Sequence, residues 1–263
     1  MLEPQKKIDA FITVRSKSIR LPEKCFLPFG EYNVLEHVIN RALSYNLNPI
    51  VCTTVNKEDN KIIDIAKSMK VRFFRGSIKN KLKRWRDCCV KFNIDYFHSV
   101  DADDPFFCGE EVHRSIKLFL QGYDMIEPTR SSSNGGATVG YSLSYDIINK
   151  ACEGLDDESD TEMMWYFIKK IPNLKSKILP EAEKYIIKDR LTLDYLEDYE
   201  MLEKLRSLVG NFAVRKKIYQ TLKNNRDIVN INMFRNSEWL NNQKEKEKEK
   251  EKEKEKEKEK GNK

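Results

Sequence analysis

Short apolar runs alternate with amphipathic segments along the first 130 residues of the chain. The apolar runs are rich in β-branched and aromatic residues and predict strands at residues 8–14, 50–54, 71–74, 96–100 and 125–127. Apolar residues spaced three and four apart predict helices at 34–45, 59–69, 80–92 and 110–120. Strands and helices in this alternation predict an α/β fold with a mainly parallel open sheet and helices on both faces.

The alternation weakens after residue 130. The pattern there predicts strands at 138–143 and 185–193, and helices at 145–153, 162–170, 195–208 and 212–224. We interpret residues 1–235 as one domain, in which an insert at about 130–185 either closes over the site as a lid or forms a homodimer. Residues 236–263 form a low-complexity tail.

Lysine and glutamate alternate in that tail from residue 244 to residue 260. The tract has no apolar residue to bury, so it is either a solvated single helix held by opposite charges or disordered chain. In either case we expect it to carry no chemistry.

Composition narrows the cellular setting. No run approaches the roughly 18 consecutive apolar residues of a membrane helix, and the first residues lack the apolar core of a leader. The six cysteines form no CxxC pair, which is typical of buried thiols in a reducing compartment. We expect a cytoplasmic protein without a membrane partner.

Basic residues give two segments that could contact anions. In KNKLKRWR, residues 79–86, the apolar residues fall on one helical stripe, so a solvated helix face is favoured over a nucleic-acid site. The loop VRSKSIRLPEK, residues 14–24, follows the first strand and carries Arg15, Lys17, Arg20 and Lys24. Arginine and lysine there suit a polyphosphate, although the loop taken alone favours a solvated basic surface. Neither GxxxxGK[ST] nor GxGxxG is present, which excludes a P-loop or dinucleotide-binding site.

Acidic residues stand at two further positions. VDADDPF, residues 100–106, closes the fourth predicted strand, and carboxylates crowded there need a cation such as Mg²⁺. The alternative is an aspartate-rich turn before Pro105. Asp194, in RLTLDYLED, precedes a predicted helix with Glu197 three residues later, so helix capping alone would explain it.

Taken in order, these motifs resemble the cytidylyltransferase family that makes CMP-activated acidic sugars, especially its spore-coat polysaccharide branch. The resemblance covers about residues 8–206 and rests on VRSKSIRLPEK, VLEHVINRA at 34–42, FRGS at 74–77, ADDP at 102–105 and TLDYLED at 192–198. It implies a Rossmann-like, GT-A-like three-layer nucleotidyltransferase fold.

The resemblance also implies residue roles. Arg15, Ser18, Arg20 and Lys24 would bind the triphosphate of CTP, and Arg75 matches a basic position near the nucleotide. Asp103 and Asp194 would hold Mg²⁺, with Arg20, Lys24 and Asp103 as the catalytic residues. A sugar hydroxyl would attack the α-phosphorus and release pyrophosphate, giving a CMP-sugar for surface polysaccharide synthesis.

Such catalysis depends on positioning and charge neutralisation and needs no nucleophilic side chain. None of His37, His98 and His113 is placed as a general base, so Asp101, Asp103 or water takes the proton. The motifs differ from the family pattern at Glu23 and Ala102, where glycine is usual, and at IKNK, residues 78–81, which replaces an acidic run.

Two further functions fit the same residues. One is a nucleotidyltransferase that uses another base or a sugar-phosphate acceptor, and the other is a nucleotide-binding homologue without turnover. We expect no nucleic-acid partner, because the net charge of +6 is mild for a chain of this length.

Overall fold

In the first half of the chain, the strands of the central sheet lie where the sequence predicts them. This computed structural model describes residues 7–242 together with residues 245 and 248. In chain order, its strands are β1 (Asp9–Thr13), β2 (Pro28–Phe29), β3 (Tyr32–Asn33), β4 (Asn48–Thr54), β5 (Arg72–Gly76), β6 (Tyr96–Asp101), β7 (Met125–Glu127), β8 (Ser142–Ser144) and β9 (Ser176–Ile178). Within the described residues, seven of them form one sheet in the order β5, β4, β1, β6, β8, β7, β9.

This sheet is mainly parallel, as the sequence predicts. Only β8 runs against its neighbours β6 and β7, while the other adjacent pairs are parallel. β2 and β3 form a separate antiparallel hairpin. The sequence pattern missed this hairpin because strands of two residues are too short to show a period.

The helices pack on both faces of the sheet. In chain order they are α1 (Val34–Ser44), α2 (Asn60–Ser68), α3 (Lys81–Phe92), α4 (Gly109–Phe119), α5 (Tyr145–Ala151), α6 (Met164–Ile168), α7 (Leu196–Val209), α8 (Arg215–Asn224), α9 (Arg226–Val229) and α10 (233–242). None of the helices in the described part of the chain is both long and apolar enough to cross a membrane.

Alternate residues of β1 show how the three layers form. Ala10 and Ile12 are fully buried in a core cluster with α1, α2 and α4. Phe11, between them, points the opposite way and stacks on Phe97 in a second cluster with α3, α5 and α6. Because both faces are covered, β1, β4 and β6 are buried along most of their length, which confirms the predicted three-layer α/β architecture.

Two predicted strands after residue 130 differ from the structure. Residues 185–193 are irregular, because their backbone bonds to loops and not to a strand: the N–H of Leu191 donates to Gly135 O and that of Leu193 to Asp103 O. The burial of Leu191 and Leu193 in a third cluster with α7, α8 and α9 produced the misleading apolar pattern. The strand predicted at 138–143 is only β8, which begins at Ser142.

The predicted tail is only partly described. Its first residues, 236–242, belong to α10, which begins before the predicted boundary at residue 235. The Lys/Glu tract at 244–260 lies outside the described residues except for residues 245 and 248, so the choice between helix and disorder stays a prediction.

Candidate active site

The basic loop (residues 14–24) and the acidic loop (residues 100–106) lie side by side at the carboxyl ends of two neighbouring strands. β1 and β6 are parallel partners, with Thr13 opposite Asp101, and the N–H of Ala102 donates to Thr13 O at 3.0 Å. The chain that leaves β1 therefore starts next to the chain that leaves β6, at the edge where open α/β sheets bind ligands.

Lys24 lies at the centre of the site. Its Nζ donates to Asp103 Oδ2 at 2.7 Å, to Leu193 O at 2.7 Å and to Asp194 Oδ1 at 3.1 Å. Its side chain is only 14% exposed, so the interpretation of this residue as part of a solvated basic loop is wrong. One ammonium group thus joins three segments that are far apart in the sequence.

Asp194 faces this ammonium and does not cap α7. Arg20 Nη2 donates to Asp194 Oδ1 at 2.5 Å, on the side chain that also accepts from Lys24. The N-cap residue of α7 is Tyr195, and Asp198, in the first turn of the helix, accepts with Oδ2 from the N–H groups of Asp194 and Tyr195 at 2.9 and 3.0 Å. Capping by Asp194 with Glu197 is therefore wrong, and the Asp194 carboxylate is available for the site.

The charges in this cluster are mutually stabilising. Burial works against ionisation of Asp194, but Lys24 and Arg20 outweigh it and lower the pKa of this carboxyl to about 2. Burial likewise opposes the charge of Lys24, yet Asp103 and Asp194 raise the pKa of its ammonium above the usual value. Asp194 and Lys24 are thus both charged at neutral pH.

The acidic loop concentrates negative charge beside Lys24. Carboxylate oxygens of Asp101, Asp103 and Asp104 lie within 4.8 Å of one another. Burial, followed by Asp103 and Asp101, raises the pKa of Asp104 well above its usual value. Lys81, from the segment that departs from the family pattern, is buried and places Nζ 3.1 Å from Asp101 Oδ1. The acidic loop itself forms a turn, since the N–H of Asp104 donates to Asp101 O. The predicted aspartate-rich turn and the cluster of charged carboxylates are therefore both present.

Helix α1 holds the acidic loop in place. His37 Nε2 donates to Pro105 O at 2.9 Å, and Arg41 Nε donates to Phe107 O at 2.7 Å. Burial, with Arg41 nearby, lowers the pKa of His37 to about 3, so this imidazole stays neutral. Burial also lowers the pKa of His98 to about 3. His98 Nδ1 lies 2.9 Å from Ser142 Oγ. That neither histidine is a general base stays a prediction.

Asp59 fixes the base of the basic loop, and the sequence pattern gave no sign of it. Its buried carboxylate accepts from Ser16 N–H at 2.8 Å and from Ser16 Oγ–H at 2.7 Å. Thr54 Oγ1, at the end of β4, also donates to this carboxylate. Only the fold brings Asp59 to the loop, so no local motif could have revealed the contact.

Arg15, another predicted nucleotide-binding residue, lines a cavity next to Lys24. Arg15 is half-exposed and lies 3.5 Å from Glu162, and both residues line a cavity that also borders Lys24, Asp103 and Arg84. Sequence reasoning missed Glu162 and Arg84. Their only local signal was their place in helical segments, which did not connect them to the site.

Ser18 and Arg75 are not in contact with the carboxylates in the structure. Ser18 Oγ accepts a long hydrogen bond from Leu21 N–H within the loop. Arg75, at the end of β5, donates to Thr54 O at 2.9 Å and to Asn56 O at 2.6 Å. Arg75 therefore holds the loop after β4, next to the one that Asp59 anchors.

The oxygen atoms around Lys24 fit a hard divalent ion. Three oxygen atoms converge on one point there, from Asp103, Asp194 and the Leu193 carbonyl. Oxygen is the ligand atom that Mg²⁺ and Mn²⁺ prefer. The same oxygens now hold the ammonium of Lys24, so an ion could use them fully only when Lys24 turns to another anion.

Comparison with known proteins identifies the family of the chain. A family described as cytidylyltransferase matches residues 10–228. An uncharacterized protein of Methanocaldococcus jannaschii, MJ1063, is 29% identical over 234 residues, which cover 86% of this chain and 94% of the relative. The spore coat polysaccharide biosynthesis protein SpsF of Bacillus subtilis is 27% identical over 210 residues, covering 76% of this chain and 86% of SpsF.

Solved structures share the fold. A cytidylyltransferase from Leptospira borgpetersenii superposes with a TM-score of 0.75 at 24% identity, covering 85% of this chain and 96% of its own. CMP:2-keto-3-deoxy-manno-octonic acid synthetase, complexed with CTP, gives a TM-score of 0.57 at 12% identity, covering 77% of this chain and 99% of its own. Because the family match spans both charged loops and the segment of Asp194, the chain belongs to the cytidylyltransferase family and is a nucleotidyltransferase.

Proposed function

We propose that this chain transfers CMP from CTP to a hydroxyl group of an acidic or otherwise unusual sugar and releases pyrophosphate. The observation that carries this proposal is the convergence of Arg20 and Lys24 with Asp103 and Asp194 at one point. The family match supports transfer of a cytidylyl group. The likeness to SpsF supports a role in polysaccharide synthesis, and the likeness to a CMP-sugar synthetase with bound CTP supports the acceptor class.

In this proposal the basic loop binds the triphosphate. Arg20 and Lys24 neutralise the phosphate oxygens nearest the reacting centre, while Arg15 and Ser18 bind at the outer edge of the loop. Arg75 acts next to the nucleotide by holding the loop after β4. The Ser16–Asp59 contact keeps the start of the loop rigid, so that the cations do not have to be ordered when CTP binds.

Asp103 and Asp194 would hold Mg²⁺ in the same proposal. When bound, this ion supplies charge neutralisation for the α-phosphate and the leaving pyrophosphate. Lys24 then has a second function, because in the absence of nucleotide its ammonium neutralises the two carboxylates. The triphosphate offers Lys24 another anion, so nucleotide and metal binding support each other.

The chemical step needs no covalent intermediate. The acceptor hydroxyl oxygen forms a bond to the α-phosphorus, the bond from the α-phosphorus to the bridging oxygen breaks, and pyrophosphate leaves with that oxygen. Asp101, Asp103 or water takes the hydroxyl proton. Positioning and charge neutralisation by the basic loop supply most of the acceleration.

The base and the acceptor are tested separately. Thermal-shift measurements with Mg²⁺ and each of the four ribonucleoside triphosphates should give a selective stabilisation by CTP. A response to another nucleotide would contradict the assignment of the base. Release of pyrophosphate from CTP is then measured with a panel of keto-sugar acids, and a sugar phosphate accepted in their place would overturn the acceptor class.

Asp103→Asn tests the site itself. Loss of a metal carboxylate should reduce turnover by about 10²-fold or more while the protein stays folded. The matched control is Asp87→Asn on α3, which removes a carboxylate paired only with Arg86 in the described structure and should leave turnover unchanged. Full activity of Asp103→Asn would contradict the proposed metal role.

A further inference from the structure

The carboxylate of Asp194 is backed by a network that reaches beyond the part of the chain matched by the family. Asp198 is fully buried and accepts from Arg190 Nε and Nη2, each at 2.8 Å. The same carboxylate accepts from the N–H of Asp194, which fixes the backbone that carries the Asp194 side chain. The orientation of Asp194 therefore depends on how firmly Asp198 is held.

Asn232 completes this network from outside the matched region, which ends at residue 228. Asn232 is fully buried, and its Nδ2 donates to Asp198 Oδ1 at 2.9 Å and to Arg190 O at 3.2 Å. A buried carboxylate that loses a donor must reorient or attract another donor. Asn232 thus acts on Asp194 through Asp198 without touching it.

Helix α10 adds contacts to Glu197 and Tyr195, which follow Asp194 in the chain. Arg235 donates to both carboxylate oxygens of Glu197, at 3.2 and 2.8 Å, and its guanidinium carbon lies 4.7 Å from the centre of the Tyr195 ring. The same ring lies 5.3 Å from the guanidinium carbon of Arg20, which binds Asp194. Tyr195 is therefore packed between α10 and the basic loop.

We propose that Asn232 and Arg235 are positioning residues for Asp194, and that the segment after residue 228 braces the proposed metal site. This inference rests on the proposed function of Asp194. Residues that orient metal ligands by hydrogen bonds commonly change metal affinity or activity by 10–100-fold. Both Asn232 and Arg235 follow residue 228, where the matched region ends.

The test measures Mn²⁺ affinity by electron paramagnetic resonance with CTP present, together with kcat and KM, on the full-length protein. Asn232→Leu keeps a similar volume but removes the donor, and it should weaken Mn²⁺ binding about 10-fold or more and lower kcat more than it raises KM for CTP. Arg235→Ala should have a smaller effect in the same direction, and Arg235→Lys should restore part of it.

Arg226→Ala is the matched control. Arg226 also binds both oxygens of one carboxylate, Asp189, at 2.9 and 3.1 Å, but no contact described for it reaches Asp194, Tyr195 or Asp198. It should lower the melting temperature without changing Mn²⁺ affinity. Arg235 is partly exposed, so its variants keep the test decisive if Asn232→Leu does not fold.

Each outcome has a distinct meaning. Folded Asn232 and Arg235 variants with the Mn²⁺ affinity and kcat of the wild type would overturn the brace and leave the proposed function intact. A wild-type protein that turns over CTP without binding Mn²⁺ would overturn the metal assignment and the brace together. Weakened Mn²⁺ binding in these variants, with Arg226→Ala unchanged, would support the brace.

Discussion

Replacement of Lys24 by methionine should destabilise the folded protein, tighten Mn²⁺ binding in the absence of nucleotide and weaken CTP binding. The Lys24 side chain is largely buried, and its ammonium lies against two carboxylates that come from distant segments. Methionine keeps the length and apolar contacts of the lysine stem, so the substitution tests mainly the charge. Without this charge, Asp103 and Asp194 face each other with less compensation.

The structure sets the size of the effect. Removing one partner of a buried ion pair typically costs about 3–5 kcal/mol. The depressed pKa of Asp194, about 2 against an ordinary 3.8, corresponds to about 2 kcal/mol of favourable interaction with its cations. Because Arg20 stays bound to Asp194, we expect the lower end, about 3 kcal/mol, which lowers the melting temperature by about 6–12 °C.

A double-mutant cycle with Asp103→Asn measures the interaction directly. Chemical denaturation of the wild type, Lys24→Met, Asp103→Asn and the double variant should show that the double variant is about 1–2 kcal/mol more stable than the two single effects predict. Effects that add to within about 0.3 kcal/mol would refute the pairing. In the same variants, Lys24→Met should tighten Mn²⁺ binding without nucleotide, because the competing ammonium is gone, and should weaken CTP binding.

Other predictions concern the surroundings of the site. Glu23 has a left-handed backbone with φ of 55°, so Glu23→Gly should raise the free energy of unfolding by about 1 kcal/mol in a denaturant titration; a decrease would show that its side chain stabilises the loop. Asp59→Asn should mainly raise KM for CTP, because Ser16 loses its charged acceptor, and an unchanged KM would contradict the anchoring role. Since the pKa of Asp194 is lowered, its contribution to the free energy of unfolding is complete above about pH 4 and is lost as the pH falls towards 2. Acid titration should therefore show that the stability difference between the wild type and Asp194→Asn shrinks over that range. A difference that does not change with pH would mean that the carboxyl is unpaired. Deletion of residues 244–263 should leave pyrophosphate release unchanged, and lost activity would give the tail a role.

Much of the first half of the fold could be predicted because its signals are local. Helix α1 begins at Val34, as predicted, because Asn33 and Glu36 form a capping box at its start. β1 and β6 were recognisable because their central residues are buried and include the aromatic and β-branched residues typical of strands. The apolar segment at 185–193 looked the same locally, yet it is not a strand because its neighbours in space are loops.

The candidate site was only partly predictable for a related reason. Lys24 and Asp103 belong to motifs whose chemistry is visible in the sequence. Asp59 and Asn232, in contrast, lie in no recognisable motif. Asp59 is 43 residues away from Ser16 in the sequence, and Asn232 is 34 residues away from Asp198.

By itself, the sequence determined the main strands and helices of the first 130 residues, the family and the charged loops, because periodicity and motif spacing are properties of short segments. Only the tertiary structure decided which charged side chains form ion pairs with each other. Asp194 could have capped the helix that follows it, but its carboxylate binds Lys24 and Arg20, while Tyr195 is the N-cap residue and Asp198 accepts from the backbone there. Partners of buried charges are chosen by geometry between distant segments, where burial makes an unpaired charge costly, and no local pattern records that choice.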